Sequence, residues 1–348
     1  MAQSLSERDR QVIWHPYTHQ KYAATPIPVI KSAGALLFDE KGQIYIDAIS
    51  SWWVTIHGHA NPYIAQKIYE QALKLEQVIF TGFTHAPAVE LAERLLKILP
   101  GNLSKIFYSD NGSTATEVAI KMAIQYWWNK SQQHRNKIIA LTNSYHGDTF
   151  GAMSISERGI FTKAFQDKLF DVIFISVPEP GAPLNIDKNI LDQCACIIYE
   201  PLLQGAGGMQ MYSPEALENI LLQCKSHNII CIADEVMTGF GRTGKLFASS
   251  YCNIYPDIIC LSKGITGGTM ALGATACTKE IHDAFVDDDK LKTFFHGHSF
   301  TANPIACSAA LASLDLLLQK ETTANIDRII EQHASFARLL QQKKEALN

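Results

Sequence analysis

No stretch of this sequence is long and apolar enough to cross a bilayer, and its opening residues, MAQSLSERDRQVIWHPY, lack the apolar run of a secretory signal. The cytoplasm is therefore the expected compartment. Excess positive charge is missing too. Against 34 Asp and Glu there are 30 Lys and Arg, a formal net charge of −4 that offers no broad attraction to phosphate backbones or anionic lipid. Neither nucleic acid nor a membrane is an expected partner; a small metabolite is. The eight cysteines form no pair of CxxC motifs and no tight cluster with histidine, so no metal is expected. Several lie inside apolar runs such as CACIIYE and NIICIADE, where a thiol packs as a small core side chain. Internal repeats and low-complexity tracts are absent as well.

What is present is a chain of 348 residues, 47% hydrophobic and 18% charged, enough to bury one large core or two smaller ones. GALLFDEKGQIYIDAIS predicts two strands joined by a turn around Asp39–Gly42. From about residue 60 helices alternate with short apolar strands. HAPAVELAERLLKIL has helical spacing, with Pro87 allowed in the first turn. The strand KIFYS then leads through the turn DNGS into the helical run TATEVAIKMAIQYWWNK, and the strands KIIALT, DVIFISV, ACIIYE, IICIADE, DIICLS and ALGATAC follow. This alternation predicts an α/β fold with a mostly parallel sheet, whose ligand lies at the carboxyl ends of the strands. The expected division is an N-terminal segment, 1–59, contributing to a small domain and to the active-site wall; a large domain, 60–302; and the start of a C-terminal small domain, 303–348. The last segment ends in a polar helix without a concluding strand or cap, so a truncated small α+β domain is expected.

Three punctuated segments carry chemistry. In IICIADEVMTGFGRTG, Asp234 ends an apolar strand just before a glycine-rich loop. A buried carboxylate there needs a cation or donors, which leaves open a loop partner or a protonated ligand nitrogen. Lys263, in DIICLSKGITGG, stands one strand later at the equivalent end. An amine in an apolar pocket loses its proton readily and is a Schiff-base candidate; the alternative is a lysine snorkelling from the core edge. In YSDNGSTATE, Gly112 and Ser113 open a helix whose free amides suit a phosphate, although serine and threonine also cap helices for purely structural reasons. NSYHGDTFGAMS adds Tyr145 and His146 at the same end, with Tyr145 able to stack on a flat ring. Phosphate site, ring-nitrogen partner and imine-forming amine together match pyridoxal phosphate.

The ordered set NGSTATEVAIKMA, SYHGDTFGAMS, YEPLLQGAGGM, ADEVMTGFGRTG and LSKGITGG resembles the class III aminotransferases of the fold-type I pyridoxal-phosphate enzymes. WHPYTHQ, DAISSWWVTIHGH, QVIFTGFTHAPAVELAERL and FFHGHSFTANPIACSAA are similar to one subgroup, which moves an amine from S-adenosylmethionine to 8-amino-7-oxononanoate in biotin biosynthesis. Another class III omega-aminotransferase or aminomutase, another amino donor such as lysine, or an inactive fragment are the alternatives.

The resemblance implies pyridoxal 5′-phosphate as cofactor, held by Gly112, Ser113, Tyr145, Asp234, Lys263 and Ser299. Lys263 carries the cofactor and moves the proton, Asp234 partners the ring nitrogen and Tyr145 stacks on the ring. Tyr17, Trp52 and Trp53 wall the substrate together with Lys263, and Trp52 is the tryptophan more readily assigned to the pocket. Glu200, Gln204 and Arg242 are implied near the site, each with a structural alternative. Ser299, in HGHSF where relatives read HGPTF, is implied to reach the phosphate of a second subunit, hence a homodimer with shared sites. Relatives carry a later arginine that grips the substrate carboxylate; no position here matches it.

Overall fold

Hairpin chemistry shapes the first sheet of this computed structural model, which describes residues 3–177 and 179–347. Strands β1 (Val29–Ala33), β2 (Leu36–Asp39) and β3 (Ile44–Ile46) pair antiparallel in that order. Asp39 closes the turn between β2 and β3, its Oδ1 accepting from the amides of Lys41 at 2.9 Å and Gln43 at 2.8 Å. That is the turn expected around Asp39–Gly42.

Apolar runs decide the main sheet. Its strands are β4 (Leu103–Ser109), β5 (Lys137–Leu141), β6 (Ile173–Ile175) and β7 (Cys194–Tyr199), then, after the short hairpin β8 (Leu203–Gln204) and β9 (Gln210–Met211), β10 (Ile230–Asp234), β11 (Ile258–Leu261) and β12 (Gly273–Thr278). They lie in the order β4-β12-β11-β10-β7-β5-β6. All residues of β7, β10, β11 and β12 are buried, which requires cover on both faces. Alternation splits each strand between two cores. Ile139, Ile197, Cys231 and Ile259 face a core with Leu91, Leu217 and Leu314, whereas Ile138, Ile198, Ile232 and Ile258 meet the helix Gly112–Asn129 through Val118 and Met122. Each fully buried Leu or Ile stabilises the fold by roughly 1.5–3 kcal/mol.

Direction follows from the connections. β6, β5, β7, β10 and β11 run parallel to their neighbours in that series, while β12 is antiparallel to both β11 and β4. Residues 262–272, between β11 and β12, hold only a 3-10 turn at Lys263–Thr266, with no crossover helix, so β12 has to return antiparallel. The carboxyl ends of β4, β5, β7, β10 and β11 and the start of β12 thus share one edge of the sheet.

Candidate active site

Five strands deliver groups to that edge. β4 runs into Asp110, Asn111 and the helix Gly112–Asn129, where the Asn111 side chain accepts from the Thr114 amide at 2.9 Å. That cap satisfies Thr114 and leaves the amides of Gly112 and Ser113 with no partner among the described residues. A Cβ on Gly112 would lie 2.8 Å from Val236 Cγ1, so the helix start approaches the loop after β10 too closely for any side chain. β5 delivers Tyr145 and His146, β7 Glu200, β10 Asp234 and β11 Lys263. Together with Trp53, Ser113 and the 268–272 segment they line a cavity of about 460 Å³.

The polar groups are tightly coupled. Asp234, 5% exposed, accepts through Oδ2 from His146 Nδ1 at 2.7 Å and through Oδ1 from the Val236 amide at 3.0 Å. That bond fixes the proton of His146 on Nδ1, and its buried Nε2 has no partner among the described residues. Glu200 accepts from the amides of Tyr145 at 3.0 Å and Gly205 at 2.9 Å. Burial pushes its carboxyl up to about 7; the Asp234 charge adds to this, while His146 and the two amides oppose it. Burial lowers the pKa of Lys263; Asp234 and Glu200 work against that shift, and Arg242 adds to it. Lys263 Nζ lies 4.9 Å from the centre of the Trp53 ring.

A second layer of aromatic groups borders the cavity. The Tyr17 hydroxyl donates to Asp148 Oδ2 and lies 3.2 Å from the Tyr145 hydroxyl. Burial raises the Tyr145 phenol above its ordinary range, with Tyr17 and Asp148 adding to the shift. Trp52 packs edge-on to Tyr17, ring centres 5.5 Å apart.

Of the residues singled out in the sequence, Gly112, Ser113, Tyr145, Asp234, Lys263 and Trp53 meet in one cavity. Trp53 lines the cavity, whereas Trp52 is 53% exposed and packs against Tyr17. Ser50–Trp53 forms a left-handed turn, with φ of 50°, 46°, 65° and 65° at its four residues. Ser299 is exposed and does not line the cavity of its own chain. Gln204 donates to the Thr142 carbonyl at 2.7 Å, away from the cavity. Arg242 donates to the Trp53 carbonyl at 3.1 Å. Sequence reasoning missed Asp148 and the hold of His146 on Asp234, although both stand in the motif SYHGDTFGAMS that supplied Tyr145.

The family model described as Aminotransferase class-III matches residues 17–347. The adenosylmethionine-8-amino-7-oxononanoate aminotransferase of Synechococcus elongatus is 48% identical over 322 residues, covering 89% of this chain and 76% of that protein. The crystal structure of the enzyme of the same name from Methanocaldococcus jannaschii superposes with a TM-score of 0.90 at 35% identity, covering 97% of this chain and 80% of that one. An amine transaminase from an uncultivated Pseudomonas species, solved in its PLP-bound form, gives a TM-score of 0.80 at 31% identity over 88% of this chain and 74% of that one.

Proposed function

Because the chain belongs to the class III aminotransferases, we propose that its cavity passes an amino group from S-adenosylmethionine to the ketone of 8-amino-7-oxononanoate, forming 7,8-diaminononanoate for biotin biosynthesis. The observation that carries this reading is the meeting of Lys263, Asp234 and the open helix start at Gly112–Ser113 in one cavity. The cofactor of this family is pyridoxal 5′-phosphate. When bound, it supplies a carbonyl that condenses with amines and a ring that withdraws electrons from the adjacent carbon.

The residues present fit that group. The unpartnered amides of Gly112 and Ser113, with the Ser113 hydroxyl, would hold the phosphate at the positive end of an 18-residue helix. The Asp234 carboxylate, held in place by His146, would favour protonation of the ring nitrogen. Lys263 presents an amine whose burial favours the neutral, nucleophilic form. The same Nζ takes a proton from the substrate carbon and returns it across the cavity. Tyr145 and Trp53 wall the reacting centre and exclude water, while Tyr17 and Trp52 extend the aromatic surface outward for an aliphatic chain or a sulfonium cation.

The chain works as a homodimer in the cytoplasm, with Ser299 reaching the phosphate of the partner's site, segment 1–59 contributing to the small domain and the active-site wall, 60–302 as the large domain and 303–348 as the start of the C-terminal small domain. Exposed Phe295 and Phe300 flank Ser299 on a loop outside its own cavity, which supports cover by a second copy. All eight cysteines are buried and free, which suits a reducing compartment. The test is to incubate cofactor-loaded protein with both substrates and measure diaminononanoate by mass. Product is expected, and Lys263→Ala should lower its formation by about 10³-fold or more. Turnover of a different amine and keto acid, with no diaminononanoate, would contradict the substrate assignment.

A further inference from the structure

The turn that carries Trp53 is built against the intrinsic preference of its own residues. Ser51 (φ 46°, ψ 56°) and Trp52 (φ 65°, ψ 46°) lie in left-handed space, as do Ser50 and Trp53, and none of the four is a glycine. L-residues visit this region singly; a run of four persists only where neighbours over-determine it. Its internal bonds, Trp53 N–H to the Ile49 carbonyl at 2.9 Å and Val54 N–H to the Ser50 carbonyl at 2.9 Å, are no better than those of an ordinary turn. The restraint has to come from outside.

It comes mainly from one carboxylate. Asp47 accepts from the Ser51 amide at 3.0 Å and the Ser51 hydroxyl at 2.8 Å, so both donors of one strained residue end on it. His59 Nε2 donates to the same carboxylate at 2.7 Å. His59 is itself fixed to the small sheet, since its amide donates to the Gly34 carbonyl at 2.8 Å and its carbonyl accepts from the Gly34 amide at 3.3 Å. The far end of the turn is held by Arg242 on the Trp53 carbonyl and by Gly268, where a Cβ would lie 2.9 Å from the Val54 carbonyl carbon. A continuous series of contacts thus runs from the small sheet through His59, Asp47 and Ser51 to the Trp53 ring beside Lys263.

We propose that Asp47 and His59 are positioning residues: they hold the left-handed turn Ser50–Trp53 in the one conformation that sets the Trp53 ring against Lys263. This rests on Trp53 being part of the active-site wall, as proposed above. Neither residue touches the cavity. They act through Ser51, which makes the proposal separable from a general role in folding, because the turn's intrinsic cost is relieved by glycine at a position that the Asp47 carboxylate does not contact and that meets Asp47 only through a backbone bond, Ser50 N–H to the Asp47 carbonyl at 3.4 Å, which neither substitution removes. Ser50 is that position. Its side chain takes no part in the carboxylate network, and glycine occupies left-handed space without steric penalty.

The test compares Asp47→Ala, Ser50→Gly and the double variant Asp47→Ala/Ser50→Gly as full chains loaded with pyridoxal phosphate. The signal of ordered Trp53 is the near-ultraviolet circular dichroism lost in Trp53→Phe. Asp47→Ala should lose that signal and raise KM about tenfold while kcat stays within about threefold. The double variant should recover both, and Ser50→Gly alone should change neither. The dichroism requires no substrate, so it stands or falls independently of which amine the enzyme transfers. Retention of the Trp53 signal and of KM in Asp47→Ala would overturn the proposal. So would failure of Ser50→Gly to restore them, including the case in which Asp47→Ala does not fold and the double variant does not either.

Discussion

Between pH about 2 and 3.8 the folded chain binds fewer protons at Asp47 than an unfolded chain does. Burial alone would raise this carboxyl, but the Ser51 amide, His59 and the Ser51 hydroxyl outweigh it and hold the pKa at about 2. A depressed carboxyl contributes stability that is present above its ordinary value of 3.8 and lost as the pH falls through about 2. Denaturant unfolding at a series of acid pH values should therefore show the wild type losing more stability over this window than Asp47→Asn does. Equal losses would mean that the carboxylate is not held as described. At this scale the meeting of several residues in one cavity was legible in the sequence. Lys263, Asp234, Tyr145 and the Gly112–Ser113 turn sit where apolar strands end in polar punctuation, and the sheet brings them together. The choice between Trp52 and Trp53 was not legible. Which ring faces inward depends on the sign of φ through SSWW, and that stretch lacks the glycine that would have announced a left-handed turn.

At the scale of elements, buried strands declared themselves through unbroken apolar runs such as CACIIY and IICL, and long helices through their spacing. The antiparallel course of β12 needed one further inference, from the missing crossover helix. The helix Leu5–Val12 went unread because LSERDRQV is polar, although Ser4 and Glu7 form a capping box that marks its start. In the fold Gly268 serves close approach, letting the segment after Lys263 lie against the backbone of Val54 and Thr55. Lys263 and Trp53 are thereby held face to face by two elements that pack backbone to backbone. Arg242, left open between a brace and a site contact, takes the part of a brace through the Trp53 carbonyl.

For the whole molecule, exposed apolar side chains gather on two segments that Asn303 ties together, its Nδ2 donating to the Glu76 carbonyl at 2.9 Å. Ile79 is 62% exposed, Phe83 61%, Phe295 72% and Phe300 62%. Such a surface suits cover by the second copy that the proposed role of Ser299 requires. Sedimentation of the cofactor-loaded protein should give a dimer, and a monomer that retains full activity would remove Ser299 from the proposed site. The central claim is that Lys263 carries the cofactor in this cavity. Its most direct test is the intact mass of the pyridoxal-phosphate-loaded protein after borohydride reduction and unfolding. The wild type should retain one cofactor equivalent per chain, mapping to the peptide that contains Lys263, and Lys263→Ala should retain none. A wild type that retains none, or a Lys263→Ala protein that retains as much, would contradict it.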